Sequence, residues 1–246
     1  MSSIKGCGTS GTLVASREGA GGYRAFARVF QAAIVAAAFL GVFLGLAGCA
    51  AAKQLSILAF GDSLTAGLGL SAEDSFPAQL ERRLRADGFD AKVVNAGVSG
   101  DTTAGGLARL DFSLADEPDL VILELGANDM LRGLSVGAAR DNLAKMIEAM
   151  KARGAAVVLA GMQAATNFDA AYKAKFDAIY PELARKYALP LYPFFMAAVA
   201  DEPALKLADG VHPNAAGVAR IVAGLAPLLE ENLKLLVAKT AGAGVR

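Results

Sequence analysis

Leu120-Val121-Ile122-Leu123-Glu124-Leu125, running directly into Gly126-Ala127-Asn128-Asp129, gives away the architecture of this chain. A short apolar run without alternation is the pattern of a strand covered on both faces. Such a strand needs helices above and below it, so the segments on either side should alternate between strand and helix. They do. Strands are expected at Leu55–Phe60, Ala91–Asn95, Leu120–Leu125, Ala155–Ala160 and, less strongly patterned, Pro190–Pro193. Helices are expected at Asp74–Arg85, Leu107–Leu114, Val136–Arg153, Ala170–Tyr187 and Pro213–Val237. In the first of these, Phe76, Leu80 and Leu84 share one face and Pro77 sits in the first turn. The alternation predicts an α/β fold with a parallel sheet wrapped by helices on both faces.

Four polar segments follow these strands, where open α/β sheets bind ligands. Gly61-Asp62-Ser63-Leu64 follows the first, Ser99-Gly100-Asp101 the second, Gly126-Ala127-Asn128-Asp129 the third and Asp209-Gly210-Val211-His212 the fifth. Together they offer a nucleophile, donors for an oxyanion, and an acid beside a base, which is what acyl-ester hydrolysis requires. His212 is the one histidine among 246 residues, so a serine nucleophile has a single candidate base. Each residue also has a plainer use. Ser63 could be a helix N-cap, Asp209 a cap, His212 a surface loop residue, Gly100 a turn glycine and Asn128 an Asx-turn residue. Asp62, Asp101 and Asp129 fit loop capping better than chemistry. Thr65 stands where the G-x-S-x-G elbow would have its second glycine, and Gly61, Gly67 and Gly69 do not make a dinucleotide-binding G-x-G-x-x-G.

Composition removes other classes. With 24 Lys and Arg against 24 Asp and Glu, and no basic block, nucleic-acid binding has no support. Trp is absent and aromatic residues make up 7%, which argues against stacking platforms. Both cysteines, Cys7 and Cys49, lie near the amino terminus, leaving the remainder without a disulfide or thiolate zinc site; no metal is expected. Before the fold, Arg24 and Arg28 precede an uncharged run from Val29 to Ala52, with the length and flanks of a membrane-inserting segment. Leu46-Ala47-Gly48-Cys49 resembles a lipoprotein lipobox, which implies cleavage before Cys49 and a lipid on it. An ordinary signal peptide cut after Ala50 or Ala52, or an uncleaved anchor, are the alternatives. All three send the remainder outward, to the periplasm or cell envelope. Residues 1–52 are therefore set apart from a domain at 53–246, with membrane contact expected through that segment or through lipid on Cys49.

The four segments, in this order, resemble the conserved blocks of the SGNH (GDSL) hydrolase family over roughly Leu55 to Leu229. Ser63, Gly100, Asn128 and His212 fall on the letters of that name. Val93-Val94-Asn95-Ala96, Glu124-Leu125-Gly126, Leu131-Arg132-Gly133, Tyr180-Pro181-Glu182-Leu183 and Pro193-Phe194-Phe195 are similar to its arylesterase and thioesterase I/lysophospholipase L1 branch. The resemblance implies a flavodoxin-like three-layer α/β/α sandwich with five parallel strands and no cofactor. It implies a triad of Ser63, Asp209 and His212, and an oxyanion hole from Ser63, Gly100 and Asn128. It further implies a mobile loop near Asp129–Leu134 that shapes the acyl groove, and acyl esters or thioesters as substrates, small-molecule or lipid. Gly161–Asn167 lacks the prolines of that branch. Deacetylation of carbohydrates, or lipid binding without turnover, are the alternative functions.

Overall fold

The computed structural model describes residues 54–243. The expectations for residues 1–52, Cys49 included, lie outside the described residues. Five parallel strands form one sheet: β1 (Leu55–Gly61), β2 (Ala91–Gly97), β3 (Leu120–Glu124), β4 (Ala156–Ala160) and β5 (Leu191–Tyr192). Their spatial order is β2-β1-β3-β4-β5, the flavodoxin-like arrangement, which reverses direction of winding between β1 and β3. Eight helices cover it: α1 (Ser63–Ala66), α2 (Phe76–Ala86), α3 (Thr103–Ser113), α4 (Ala127–Leu131), α5 (Val136–Ala152), α6 (Ala170–Asp177), α7 (Ile179–Tyr187) and α8 (Ala215–Ala243). Helix α2 packs against α8, while α3, α5 and α7 pack against one another in sequence.

Position in the sheet explains the strand patterns. β3 lies between β1 and β4 and all five of its residues are buried. β2 is an edge strand, where exposed Lys92 and Val94 alternate with buried Ala91 and Val93. Side chains such as Phe60, Leu80, Leu123 and Ile147 are wholly inaccessible, and each contributes about 1.5–3 kcal/mol by leaving water. Val218, Ile221, Val222, Leu225, Leu229 and Leu233 form the buried stripe of α8 at three- and four-residue spacing.

Register brings the functional loops to one rim. Gly61 pairs with Gly97 on one side and with Glu124 on the other, and Glu124 pairs with Ala160. The strands thus end level, and the loops after β1, β2 and β3 leave the sheet side by side. Leu55, the first residue of β1, lies at the opposite end of the strands.

Several element boundaries differ from the sequence expectation: α3 starts at Thr103 rather than Leu107, where the Thr102 side chain caps it, β2 runs on to Gly97 rather than Asn95, and α8 ends at Ala243 rather than Val237. The helix expected over Ala170–Tyr187 is two helices that meet at Ala178. Pro181 has no N–H to donate to the Asp177 carbonyl, so the hydrogen-bond ladder is interrupted there. The closing helix starts at Ala215 rather than Pro213, because the chain just before it is tied to the preceding loop. Lys206 and Pro213 form an antiparallel bridge, and the Asn214 N–H donates to the Leu205 carbonyl. The second helix starts at Phe76 rather than Asp74, after an extended Ser75.

Candidate active site

The Ser63 loop is shaped by close approach. A Cβ on Gly61 would fall 2.2 Å from Thr65 Oγ1 and 2.4 Å from Glu124 Oε2, so only glycine fits beneath the turn. The N-cap of α1 is Asp62, not Ser63: the Asp62 carboxylate accepts from the Leu64 N–H at 3.0 Å. This leaves the Ser63 hydroxyl uncommitted to capping, and it lies 2.8 Å from Nε2 of His212. On the far side of the ring, Nδ1 lies 2.7 Å from Asp209 Oδ2. Residues 149 positions apart in the chain thus meet through one imidazole.

Asp209 is held as an anion. Its Oδ1 accepts from the backbone N–H groups of Val211 at 2.8 Å and His212 at 3.0 Å. These bonds, with that from the His212 ring, lower its pKa from 3.8 to about 2. An ionised Oδ2 facing Nδ1 requires the proton of a neutral ring to sit on Nδ1, leaving the Nε2 lone pair to accept from Ser63.

Gly100 and Asn128 complete the rim. Gly100 has φ +84°, a conformation that side-chain-bearing residues avoid, and the Arg132 guanidinium donates to its carbonyl at 2.8 Å. The Asn128 amide donates one hydrogen to Asp62 Oδ2 at 3.1 Å, which fixes the amide and leaves its second N–H available. Ser63, Gly100, Asn128, His212 and Asp62 share a pocket of about 240 Å³. Beside it lies a mostly apolar cavity of about 560 Å³, walled in part by Met130, Met162, Ala164, Phe194 and Met196. Leu64, Ala127, Leu131 and Val211 line both spaces, so the two adjoin. Gln163, Ala165 and Thr166, from the segment without prolines, form part of the cavity wall.

All five residues singled out for nucleophile, base, acid and oxyanion donors therefore converge. The neighbouring aspartates behave as structural groups. Asp129 accepts from the N–H and hydroxyl of Thr103 at 2.8 and 2.6 Å, fastening α4 to α3, and Asp101 pairs with Arg109. Two residues escaped sequence reasoning. Glu124, at the end of β3, is wholly buried; its Oε2 accepts from Thr65 Oγ1 at 2.6 Å and from the Asp62 N–H at 3.3 Å. Its other oxygen, Oε1, has no hydrogen-bond partner among the described residues. Burial first, then the Asp62 charge, pushes the Glu124 carboxyl well above the usual range. Burial likewise raises Asp62 from 3.8 to about 6, against the opposing bonds from Leu64 and Asn128. An acid inside an apolar strand was the available signal, since a buried charge is costly unless something local holds it. Arg109 is the other, and sequence periodicity marks it as an ordinary exposed helix residue.

The GDSL-like Lipase/Acylhydrolase family profile matches residues 59–220, which includes every one of these groups. The chain belongs to this family. It is accordingly an ester-bond hydrolase, and its sheet is the one found in solved members. It is 40% identical to esterase TesA of Pseudomonas aeruginosa over 193 residues, covering 75% of this chain and 96% of that protein. It is 39% identical over 174 residues to thioesterase 1/protease 1/lysophospholipase L1 of Escherichia coli strain K12, covering 70% and 82% respectively. A crystal structure of TesA superposes with a TM-score of 0.69 at 41% identity, covering 72% of this chain and 98% of that one. In this GDSL-like chain the blocks and the geometry coincide: each block supplies one component of the pocket.

Proposed function

We propose that Ser63 is the nucleophile of a serine esterase whose acyl group lies in the apolar cavity. The observation that carries the reading is the continuous relay from Ser63 Oγ to His212 to Asp209, at 2.8 and 2.7 Å. As Ser63 Oγ attacks the substrate carbonyl, its proton passes to Nε2, and Asp209 offsets the positive charge of the ring. The carbonyl oxygen becomes an oxyanion, received by the N–H groups of Ser63 and Gly100 and the free amide N–H of Asn128. A correctly aimed donor lowers the barrier by about 2.7–4 kcal/mol. Collapse breaks the bond to the leaving alcohol, phenol or thiol, which takes the proton from Nε2 and departs. Water then attacks acyl-Ser63 as it gives a proton to the same nitrogen; the bond to Oγ breaks, Oγ recovers the proton from Nε2, and the acid leaves.

The cavity size, about 560 Å³, favours acyl chains well beyond acetyl, hence lipid-like or aryl esters over O-acetylated sugars. Thioesters suit the same mechanism. The intact relay argues against a pure lipid-binding role. The basic flank and apolar run before Ala52 support export, with Cys49 as a lipid acceptor. Ser63→Ala in the full chain tests the reading: p-nitrophenyl ester turnover and fluorophosphonate labelling should vanish while the melting temperature stays unchanged. Retained turnover would overturn it. A chain-length series of p-nitrophenyl esters should favour medium or long acyl groups, and the intact mass of membrane-extracted protein reports any lipid on Cys49.

A further inference from the structure

Arg109 lies on α3 and lines neither pocket, yet it joins the two segments that carry the proposed backbone oxyanion donors. Its Nη2 donates to the Gly61 carbonyl at 2.9 Å, two residues before Ser63. Its Nε donates to the Asp101 carboxylate at 2.6 Å, one residue after Gly100. Its Nη1 reaches Ser113 Oγ at 3.4 Å, and the guanidinium carbon stands 4.1 Å from the centre of the Phe60 ring in β1. The side chain is 22% exposed and that of Asp101 is 14% exposed, so the pair is partly shielded from water. Asp101 in turn is pressed against α3: a Cβ on Gly105 would fall 2.4 Å from its Oδ1. The same Gly61 carbonyl also accepts from the Val98 N–H at 3.1 Å, and the Asp101 N–H donates to the Val98 carbonyl at 3.1 Å. One planar cation thus closes a ring of bonds around the gap between the Ser63 and Gly100 loops.

We infer that Arg109 is a positioning residue of the oxyanion hole, fixing the spacing of the Ser63 and Gly100 N–H groups by clamping Gly61 to Asp101. The inference rests on the esterase reading above. Its physical basis is the fork of the guanidinium, which can serve two acceptors in different directions from a locked position; an ammonium cannot span both. Arg132 holds Gly100 from the other side, but it is exposed and bonds only the carbonyl, so it has less hold on the spacing. Misplacement of oxyanion donors acts on the transition state and spares ground-state binding.

The test uses the full chain and a p-nitrophenyl ester, with phenylboronic acid as a probe whose tetrahedral adduct on Ser63 places an oxygen in the hole. Arg109→Met should lower kcat on the order of 10- to 100-fold with KM nearly constant. Its boronate inhibition constant should rise by a similar factor. Arg109→Lys should recover part of the loss, and Asp101→Asn should show the same pattern more weakly. If Arg109→Met fails to fold, the latter two variants carry the test. Unchanged boronate affinity in Arg109→Lys and Asp101→Asn, or losses of kcat that follow only the folded fraction, would overturn the role. A wild-type chain without ester turnover would bring down both readings, whereas an active wild type with unaffected variants would remove only the role of Arg109.

Discussion

Asp209 and Asp62 flank the Ser63 pocket in opposite environments. The Asp209 side chain is 45% exposed and bonded by two backbone N–H groups and an imidazole; its pKa falls to about 2. Asp62 is wholly buried next to a second buried carboxyl, Glu124, and its pKa climbs to about 6. The same functional group is a permanent charge at one site and a reluctant one at the other. The comparison separates two tasks. On the proposed mechanism, the charge that offsets a transient imidazolium sits where solvent and N–H groups support it, whereas the acids that shape the turn tolerate partial neutralisation.

The two acids also tie stability to pH with opposite sign. Asp209 is depressed, so its contribution is present above its unfolded pKa of 3.8 and is lost as pH falls toward 2. Asp62 is raised, so its favourable state exists below 3.8 and is lost as pH rises through about 6.

The largest effect that would break this comparison is catalytic. Asp209→Asn keeps an oxygen for the Val211 and His212 N–H groups but turns an amide toward Nδ1, favouring the wrong tautomer. We expect kcat to fall roughly 10³- to 10⁴-fold with the fold intact, read from steady-state hydrolysis and circular dichroism. Next is Glu124→Ala, which strands the Thr65 hydroxyl and the Asp62 N–H in a buried void. Urea unfolding should show a loss of about 2–4 kcal/mol. Glu124→Gln keeps an acceptor without a charge and should cost far less; equal losses in the two variants would refute the claim that shape rather than charge matters there. Asp62→Asn keeps an acceptor for the Leu64 N–H but sets an NH2 against the Asn128 amide, so it loses that bond while shedding the buried charge; its stability relative to wild type should gain as pH rises from 3.8 to 8. Thermal melts should show that gain shrinking as pH drops through about 6 and vanishing below 3.8. A constant offset across pH would contradict the burial argument. Smallest of all, Asp111→Ala removes an 87% exposed partner of Arg153, and the melting temperature should not move measurably.

Much of this site could be read from residue types alone. One histidine in the chain leaves a single candidate base, and its Asp-x-x-His spacing offers a candidate acid. The strands before Ser63 and Asn128 are apolar enough to be recognised unaided. What periodicity does not carry is contact across layers. Arg109 bonds Gly61, 48 positions away, and no spacing rule connects a helical arginine to the end of a distant strand. Glu124 sits in a run whose hydrophobicity swamps a single acid. The two-residue β5 is set by its pairing with Leu159 and Ala160 rather than by its own composition. The break at Ala178 was legible through Pro181, but the continuous stripe of Tyr172, Phe176, Ile179 and Leu183 masks it.

The direction of β1 sets where the domain can be handled. Its seven residues span roughly 20 Å from Leu55 to Gly61, so Gln54 stands at the end of the strand remote from the serine. A label or solid support coupled at that position leaves the pocket loops uncovered.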